Sequence, residues 1–95
     1  MSVYAIAQGR IDDREQFDQY IALATPTLEA HNVKLLALDE HPTVVEGETQ
    51  YPRTVILEFE SSDAFFSWYN SDEYKAAREH RLSASEGRFI LAKGF

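Results

Sequence analysis

Apolar and polar positions alternate with a period of two at the start of the chain, from Val3 to Ile11. Tyr4, Ile6 and Gln8 fall on one side of this segment, and the residues between them fall on the other. Such alternation predicts a β-strand with two distinct faces. Three later segments rich in β-branched and aromatic residues are also predicted as strands. They are residues 33–39, 53–60 and 88–94.

Between the first two predicted strands, apolar residues recur at the spacing of an amphipathic helix. They are Phe17, Tyr20, Ile21, Ala24 and Leu28. Asp12, with Glu15 three residues later, is the predicted N-cap of a capping box. Because Pro26 removes a helix hydrogen bond and restricts the residue before it, we expect a kink or a restart there. A short second helix would then run to about His31, with Asn32 as its C-cap.

The segment after the third predicted strand is expected to form two helices. The run Ser61-Ser62-Asp63 opens the first by capping chemistry, and Phe65, Trp68 and Tyr69 share one of its faces. After a break, Ser71 caps the second helix. One stripe of that helix contains Tyr74, Ala77, Arg78 and Arg81.

Polar residues predict the remaining connections. Residues 43–46 could extend the second strand beyond Pro42, and residues 47–52 are expected to form a polar turn. Residues 83–87 are predicted as a loop before the last strand.

The resulting order, βαββαβ, predicts a ferredoxin-like α+β domain over residues 1–95, with a four-stranded antiparallel sheet. Both helical regions lie on one side of such a sheet, so the other side stays open. Apolar residues occupy both faces, with Val55 on one and Ile56 and Ala92 on the other. We therefore expect two copies to pack sheet against sheet as a homodimeric α+β barrel.

Composition narrows the classes of function. A chain of 95 residues has room for one domain. A net charge of -7 argues against nucleic acid and anionic membranes as partners. The absence of cysteine excludes thiol chemistry and thiolate metal sites. With neither a leader peptide nor a membrane span visible, a cytoplasmic protein is expected.

The candidate site centres on Trp68, Tyr69 and Tyr74, followed by Arg81. In one interpretation these side chains line a pocket, where a guanidinium would bind a carboxylate or enolate. In the other, the aromatic rings are core, and Arg78 and Arg81 pair with carboxylates of the protein. The candidate partners are Glu58, Glu73 and Glu86.

Residues near the central hairpin extend the candidate set. Glu46 and Arg53 could line the pocket mouth as a base and an anion clamp, or form a cross-strand ion pair. Glu58 lies within an apolar strand, where burial would make it an acid or base candidate and a dimer interface would instead pair it. His41 precedes a proline and could edge the pocket. The three histidines lack metal-binding spacing, and no metal or cofactor is predicted.

A wider pattern runs through the chain. It comprises Glu46-Gly47, Arg53 ahead of Leu57-Glu58-Phe59, Trp68-Tyr69-x-Ser71-x-x-Tyr74, and then Arg81 and Gly87. This pattern resembles domain-of-unknown-function family 1330, within the dimeric α+β barrel superfamily. The resemblance implies a ferredoxin-like protomer and a homodimeric barrel, but no activity. More distant members of the superfamily include cofactor-free monooxygenases, lactone isomerases and haem-degrading or peroxidase-like enzymes, which are analogies of fold.

Two hypotheses follow. The chain is a dimeric module that binds a small anionic or aromatic molecule near Trp68, or it is a cofactor-independent monooxygenase- or isomerase-like enzyme that uses Glu/Arg proton transfer. The enzyme requires at least two of four charged residues to converge on a cavity that contains Trp68. They are Glu46, Glu58, Arg53 and Arg81.

The expected homodimer gives the first testable prediction. Light scattering at micromolar concentration should report twice the chain mass of 10.9 kDa, because the open apolar sheet face is covered in the dimer. A monomer at that concentration would contradict the barrel assembly.

Overall fold

The computed structural model describes residues 2–95. Its elements are β1 (Val3–Ile11), α1 (Arg14–Ala30), β2 (Lys34–Asp39), β3 (Arg53–Phe59), α2 (Ser62–Tyr69), α3 (Asp72–Ala84) and β4 (Ser85–Lys93). The strands form one antiparallel sheet in the order β2-β3-β1-β4. The predicted ferredoxin-like α+β architecture is confirmed, with its second helical region divided into α2 and α3.

The register of the sheet decides which side chains face the helices. Val3 and Ala5 of β1 pair with Phe59 and Leu57 of β3, and all four side chains are buried. Their burial against the helix layer follows from the period-two alternation of the strands. The predicted division of β1 into two faces is confirmed.

No helix within residues 2–95 covers the opposite face of the sheet. Ile6 there pairs with Ile56 of β3 on one side and with Ile90 of β4 on the other. Ile90 is 55% exposed. At one end of this face, Lys34 lies 3.9 Å from the Glu58 carboxylate. The face therefore combines an apolar centre with a charged margin.

Trp68 joins the helices to the sheet. Its ring is 1% exposed and lies 4.0 Å from the Tyr74 ring and 5.4 Å from the Phe59 ring, measured between centroids. Its indole Nε1–H donates a 2.9 Å hydrogen bond to the buried hydroxyl of Thr27. That hydroxyl in turn donates to the Ala24 carbonyl at 2.6 Å. The buried indole thus satisfies its polar atom while filling the interior.

The N-cap of α1 is one residue later than predicted. Asp13 has extended backbone dihedrals, and its carboxylate accepts from the Gln16 backbone N–H at 3.2 Å. The carboxylate of Asp12 instead accepts from the Arg10 side chain at 2.8 Å. The capping-box prediction for Asp12 is therefore wrong, because a nearby guanidinium holds that carboxylate. The predicted N-cap Ser71 is confirmed, and within the run predicted to open α2 the cap is Ser61.

Pro26 does not divide α1, which continues unbroken to Ala30. The predicted restart is wrong, because burial of Ala24 and Thr27 on either side of Pro26 offsets one missing hydrogen bond. At the end of the helix, Asn32 has a positive φ of 55°. Its backbone N–H donates to the Glu29 carbonyl, and the N–H of Val33 donates to the Leu28 carbonyl. This Schellman geometry puts Asn32 one position beyond the cap, which is His31.

Two predicted connections differ in the structure. Residues 43–46 form no strand, because the pairing of β2 with β3 ends at Thr54 and leaves them without a partner. Residues 83–87 are not a loop: β4 begins at Ser85, directly after α3. Pairing with the end of β1 stabilises the extended conformation there, since Gly87 lies opposite Gly9. Long-range pairing overrides the local turn signal.

Replacement of Trp68 tests its contribution to the fold. Trp68→Ala should lower the free energy of unfolding by about 3–5 kcal/mol, because it leaves a large cavity and removes the buried hydrogen bond to the Thr27 hydroxyl. Phe66, two residues earlier on the same helix and 50% exposed, is the matched control, and Phe66→Ala should cost under about 1 kcal/mol. Urea denaturation measures both values. Equal losses would show that Trp68 is not central to the core.

Candidate functional site

A cavity of about 130 Å³ lies between the helix layer and the sheet. Most of its wall is apolar, including Leu28, Leu35, Leu38, Val55, Leu57 and Phe89. Its polar lining includes Tyr20 and the side chains of Arg53 and Arg81. Trp68 forms part of the wall as well as the core. Within residues 2–95, no carboxylate lines this cavity.

An irregularity in β2 shapes the apolar wall. Leu35 pairs with Leu57 and Leu38 pairs with Val55, although residues three apart in a regular strand face opposite sides. The register shifts between Leu35 and Ala37, which is the signature of a β-bulge. The bulge brings both leucines to the helix side, where they line the cavity.

Arg81 brings a charge to the cavity from α3. Its Nε is buried and has no hydrogen-bond partner within residues 2–95. The guanidinium carbon lies 5.7 Å from the centroid of the Phe89 ring. The predicted ion pair with a protein carboxylate is not found in the described part of the chain. A buried guanidinium donor without a partner is costly, so Arg81 is available to an anion.

Arg53 approaches the cavity from β3 but already has a protein partner. Its Nε lies 3.4 Å from a carboxylate oxygen of Glu40, and its guanidinium carbon lies 4.8 Å from the Phe17 ring centroid. Arg14 also binds Glu40, at 2.9 Å, and lowers the pKa of that carboxyl group. The ion-pair partner of Arg53 is therefore Glu40, directly after β2, and the predicted pair with Glu46 is not formed. Its charge is partly balanced, unlike that of Arg81.

Two tyrosine hydroxyls meet beside Trp68. The hydroxyls of Tyr20 and Tyr74 are 2.9 Å apart. Tyr74 is fully buried, whereas Tyr20 lines the cavity. Burial, reinforced by Tyr20, raises the pKa of Tyr74 well above its ordinary value, although the Arg81 cation opposes that rise. Tyr74 therefore stays a neutral hydroxyl in the folded protein.

A smaller cavity of about 40 Å³ adjoins the first. Its wall shares Ala7, Arg53 and Arg81 with the larger one. Gly9 and Gly87 face each other in its wall, and a Cβ at Gly87 would collide with the backbone of Gln8 and Gly9, so only glycine allows the two strands to approach so closely. The two arginines thus stand between the two cavities.

Other predicted site residues lie elsewhere. Tyr69 stacks on Phe65 at 5.4 Å and lies under the Arg78 guanidinium at 4.5 Å, away from the cavity lining. Glu46 and His41 are exposed in the segment between β2 and β3. The cavity therefore brings together Trp68, Arg53 and Arg81, with Tyr74 directly behind Trp68.

Glu58 lies on the sheet face opposite the cavity. Its carboxylate contacts one side chain from each neighbouring strand. The Tyr4 hydroxyl donates to it at 3.4 Å, and the Lys34 ammonium lies 3.9 Å away. Of the four charged residues that the enzyme hypothesis invoked, the two arginines reach the cavity and the two glutamates do not.

Sequence reasoning missed Tyr20 as a site residue. It had the same helical spacing as its apolar neighbours and was assigned to the buried stripe with them. The available signal was its hydroxyl, because a buried phenol requires a hydrogen-bond partner. Leu35 and Leu38 gave no such signal, since only the β2 bulge brings them to the cavity.

Residues 2–95 contain neither a metal-binding cluster nor a membrane-spanning helix. No group of three or more histidine, aspartate or glutamate side chains there could hold a metal ion. None of the helices in this range is both long enough and apolar enough to cross a bilayer.

The fold and the site define a small ferredoxin-like α+β protein with a cavity between its helices and its sheet. The chain belongs to the family of the domain of unknown function DUF1330, whose model matches residues 2–95. Among curated proteins, none matches the sequence.

Solved structures share this fold. A protein of unknown function from Rhodopseudomonas palustris superposes with a TM-score of 0.84 at 19% identity, covering 99% of this chain and 82% of that one. SnoaB, a cofactor-independent oxygenase from Streptomyces nogalater, superposes with a TM-score of 0.67 at 12% identity, covering 99% of this chain and 93% of SnoaB. A dimeric protein of unknown function and ferredoxin-like fold from Bacteroides fragilis superposes with a TM-score of 0.68 at 14% identity, covering 98% of this chain and 96% of that protein. At such identities the likeness is one of fold.

The buried phenol of Tyr74 predicts a loss of stability in alkali. The folded state holds this proton more tightly than the unfolded chain does, so its contribution is intact below about pH 10 and falls as pH rises further. The slope contributed by this one group should reach about 1.4 kcal/mol per pH unit. Tyr74→Phe should remove that contribution, which urea denaturation at about pH 9 and about pH 11 can measure. Identical pH dependence in both proteins would contradict the assignment.

Proposed function

We propose that this protein binds a small organic anion in the cavity between its helices and its sheet. The observation that carries the proposal is the buried Nε of Arg81, which finds no hydrogen-bond partner within residues 2–95 although its guanidinium borders a mainly apolar cavity. Guanidinium groups bind carboxylates through directional, charge-assisted hydrogen bonds. An anion from solution would supply the acceptor that the described protein groups do not.

The cavity also limits the rest of the ligand. Its apolar walls favour a ring or a short hydrocarbon chain, and its volume is about 130 Å³. An engineered apolar cavity of about 150 Å³ accommodates benzene, so a single six-membered ring suits this space. A compact aromatic or aliphatic monocarboxylate therefore fits both the charge and the size of the cavity.

The enzymatic alternative is less well supported. SnoaB is a cofactor-independent oxygenase of similar fold, but fold alone does not carry an activity over to this chain. Proton transfer by a Glu/Arg pair requires a carboxylate within reach of the ligand. Glu46 and Glu58 do not line the cavity, so the proposal is restricted to binding.

In the proposed assembly, a second copy of the chain covers the open sheet face. That face has an apolar centre formed by Ile6, Ile56 and Ile90, together with both signs of charge at its margin. A surface that carries both charges can complement itself across a two-fold axis. The similar protein from Bacteroides fragilis is dimeric, which supports the same arrangement here.

Benzoate binding tests the proposed site. Benzoate should quench the fluorescence of Trp68, the only tryptophan, and calorimetry should give its affinity. Arg81→Met should weaken binding by about tenfold or more, because it removes a charge-assisted contact. It should change the free energy of unfolding by under about 1 kcal/mol, since Arg81 forms no ion pair within residues 2–95.

Arg78→Met is the matched control. Arg78 lies one turn earlier on the same helix, but it contacts Tyr69 rather than the cavity. This variant should bind benzoate as the natural chain does. Equal weakening in both variants, or no binding of benzoate by the natural chain, would refute the proposed site.

A further inference from the structure

The hydrogen bond between the two tyrosines has a preferred direction. The Tyr74 side chain is fully buried, and its hydroxyl meets the Tyr20 hydroxyl at 2.9 Å. The Arg81 guanidinium lies close enough to donate to the same Tyr74 oxygen. If Tyr20 donated to Tyr74, the Tyr74 proton would be buried without an acceptor, at a substantial cost in free energy. Neighbouring Arg81 and Trp68 cannot accept it, because guanidinium and indole N–H groups only donate.

The opposite direction satisfies both groups. When Tyr74 donates, its proton is bound by Tyr20, and the proton of Tyr20 is free to turn toward the cavity that this residue lines. A hydroxyl that already accepts a hydrogen bond is polarised and becomes a better donor. The raised pKa of Tyr74 agrees with this arrangement, because it keeps the donor proton in place.

We infer that Tyr20 donates a hydrogen bond to the bound ligand and, with Arg81, selects a carboxylate. This inference rests on the proposed binding function. One carboxylate oxygen would accept from the guanidinium of Arg81 and the other from the hydroxyl of Tyr20. Tyr74 is a positioning residue, because it acts on the ligand through Tyr20. An apolar molecule of the same size would use neither donor.

Tyr20→Phe tests the role of the hydroxyl with two probes, benzoate and toluene. The variant should lose about tenfold in benzoate affinity, since a hydrogen bond to a charged group is removed. Its affinity for toluene should be unchanged, because toluene has no acceptor oxygen. The variant removes the acceptor of the Tyr74 proton and should be less stable, but its phenylalanine ring keeps the aromatic contact with Phe17, whose ring centroid lies 5.2 Å away. The variant that carries both Tyr20→Phe and Tyr74→Phe has no such unpaired proton and is the folded control.

A second variant tests whether Tyr74 acts on the ligand through Tyr20. Tyr74→Phe should weaken benzoate binding by a smaller factor, because Tyr20 keeps its proton but loses its polarising partner. In a protein that already carries Tyr20→Phe, Tyr74→Phe should cause no additional loss of benzoate affinity. This non-additivity is expected of two residues that act as one unit.

The alternative outcomes separate this inference from the proposed function. If Tyr20→Phe binds benzoate as tightly as the natural chain while Arg81→Met does not, the Tyr20 inference is overturned and the binding site stands. Parallel losses for benzoate and toluene would overturn it too, since they would mean that Tyr20 merely shapes the cavity. Failure of the natural chain to bind benzoate would overturn both.

Discussion

The hydrogen bond from the Trp68 indole to the Thr27 hydroxyl is the contact on which the rest of the structure depends. It ties α2 to α1 at 2.9 Å, while the ring packs against Tyr74 of α3 and Phe59 of β3. A large aromatic side chain can be buried this deeply only if its N–H finds an acceptor. One side chain thereby fixes three helices over the sheet, and its remaining edge forms a wall of the cavity. Fold and site are built from the same residue.

Charge is distributed unevenly in this acidic protein. The chain has a net charge of -7, yet the larger cavity is lined by two arginines and by no carboxylate of residues 2–95. Arg53 forms an ion pair with Glu40, whereas Arg81 forms no ion pair within residues 2–95. A buried guanidinium N–H without an acceptor is unfavourable, so the unpartnered Nε of Arg81 is the strongest indication of a ligand.

Local sequence signals predicted the regular elements well where they agreed with the tertiary structure. The alternation of Val3–Ile11 and the serine caps of α2 and α3 depend on neighbouring residues alone, and they are present as predicted. The predictions failed where distant contacts decide. Pro26 lies inside a continuous helix, and the turn-like residues 83–87 belong partly to β4, because packing and strand pairing outweigh a local preference.

In the candidate site, too, some features follow from local sequence and others only from long-range contacts. The amino-acid sequence by itself determined the ferredoxin-like order of elements, the aromatic–arginine stripe and the acidic net charge, since each follows from spacing or composition. Only the tertiary structure decided that Arg81 lacks a carboxylate partner within residues 2–95, that Glu58 faces away from the cavity, and that Tyr20 meets Tyr74. The physical reason is that these are contacts between residues far apart in the chain. Their partners depend on sheet register and helix packing, which no local pattern encodes.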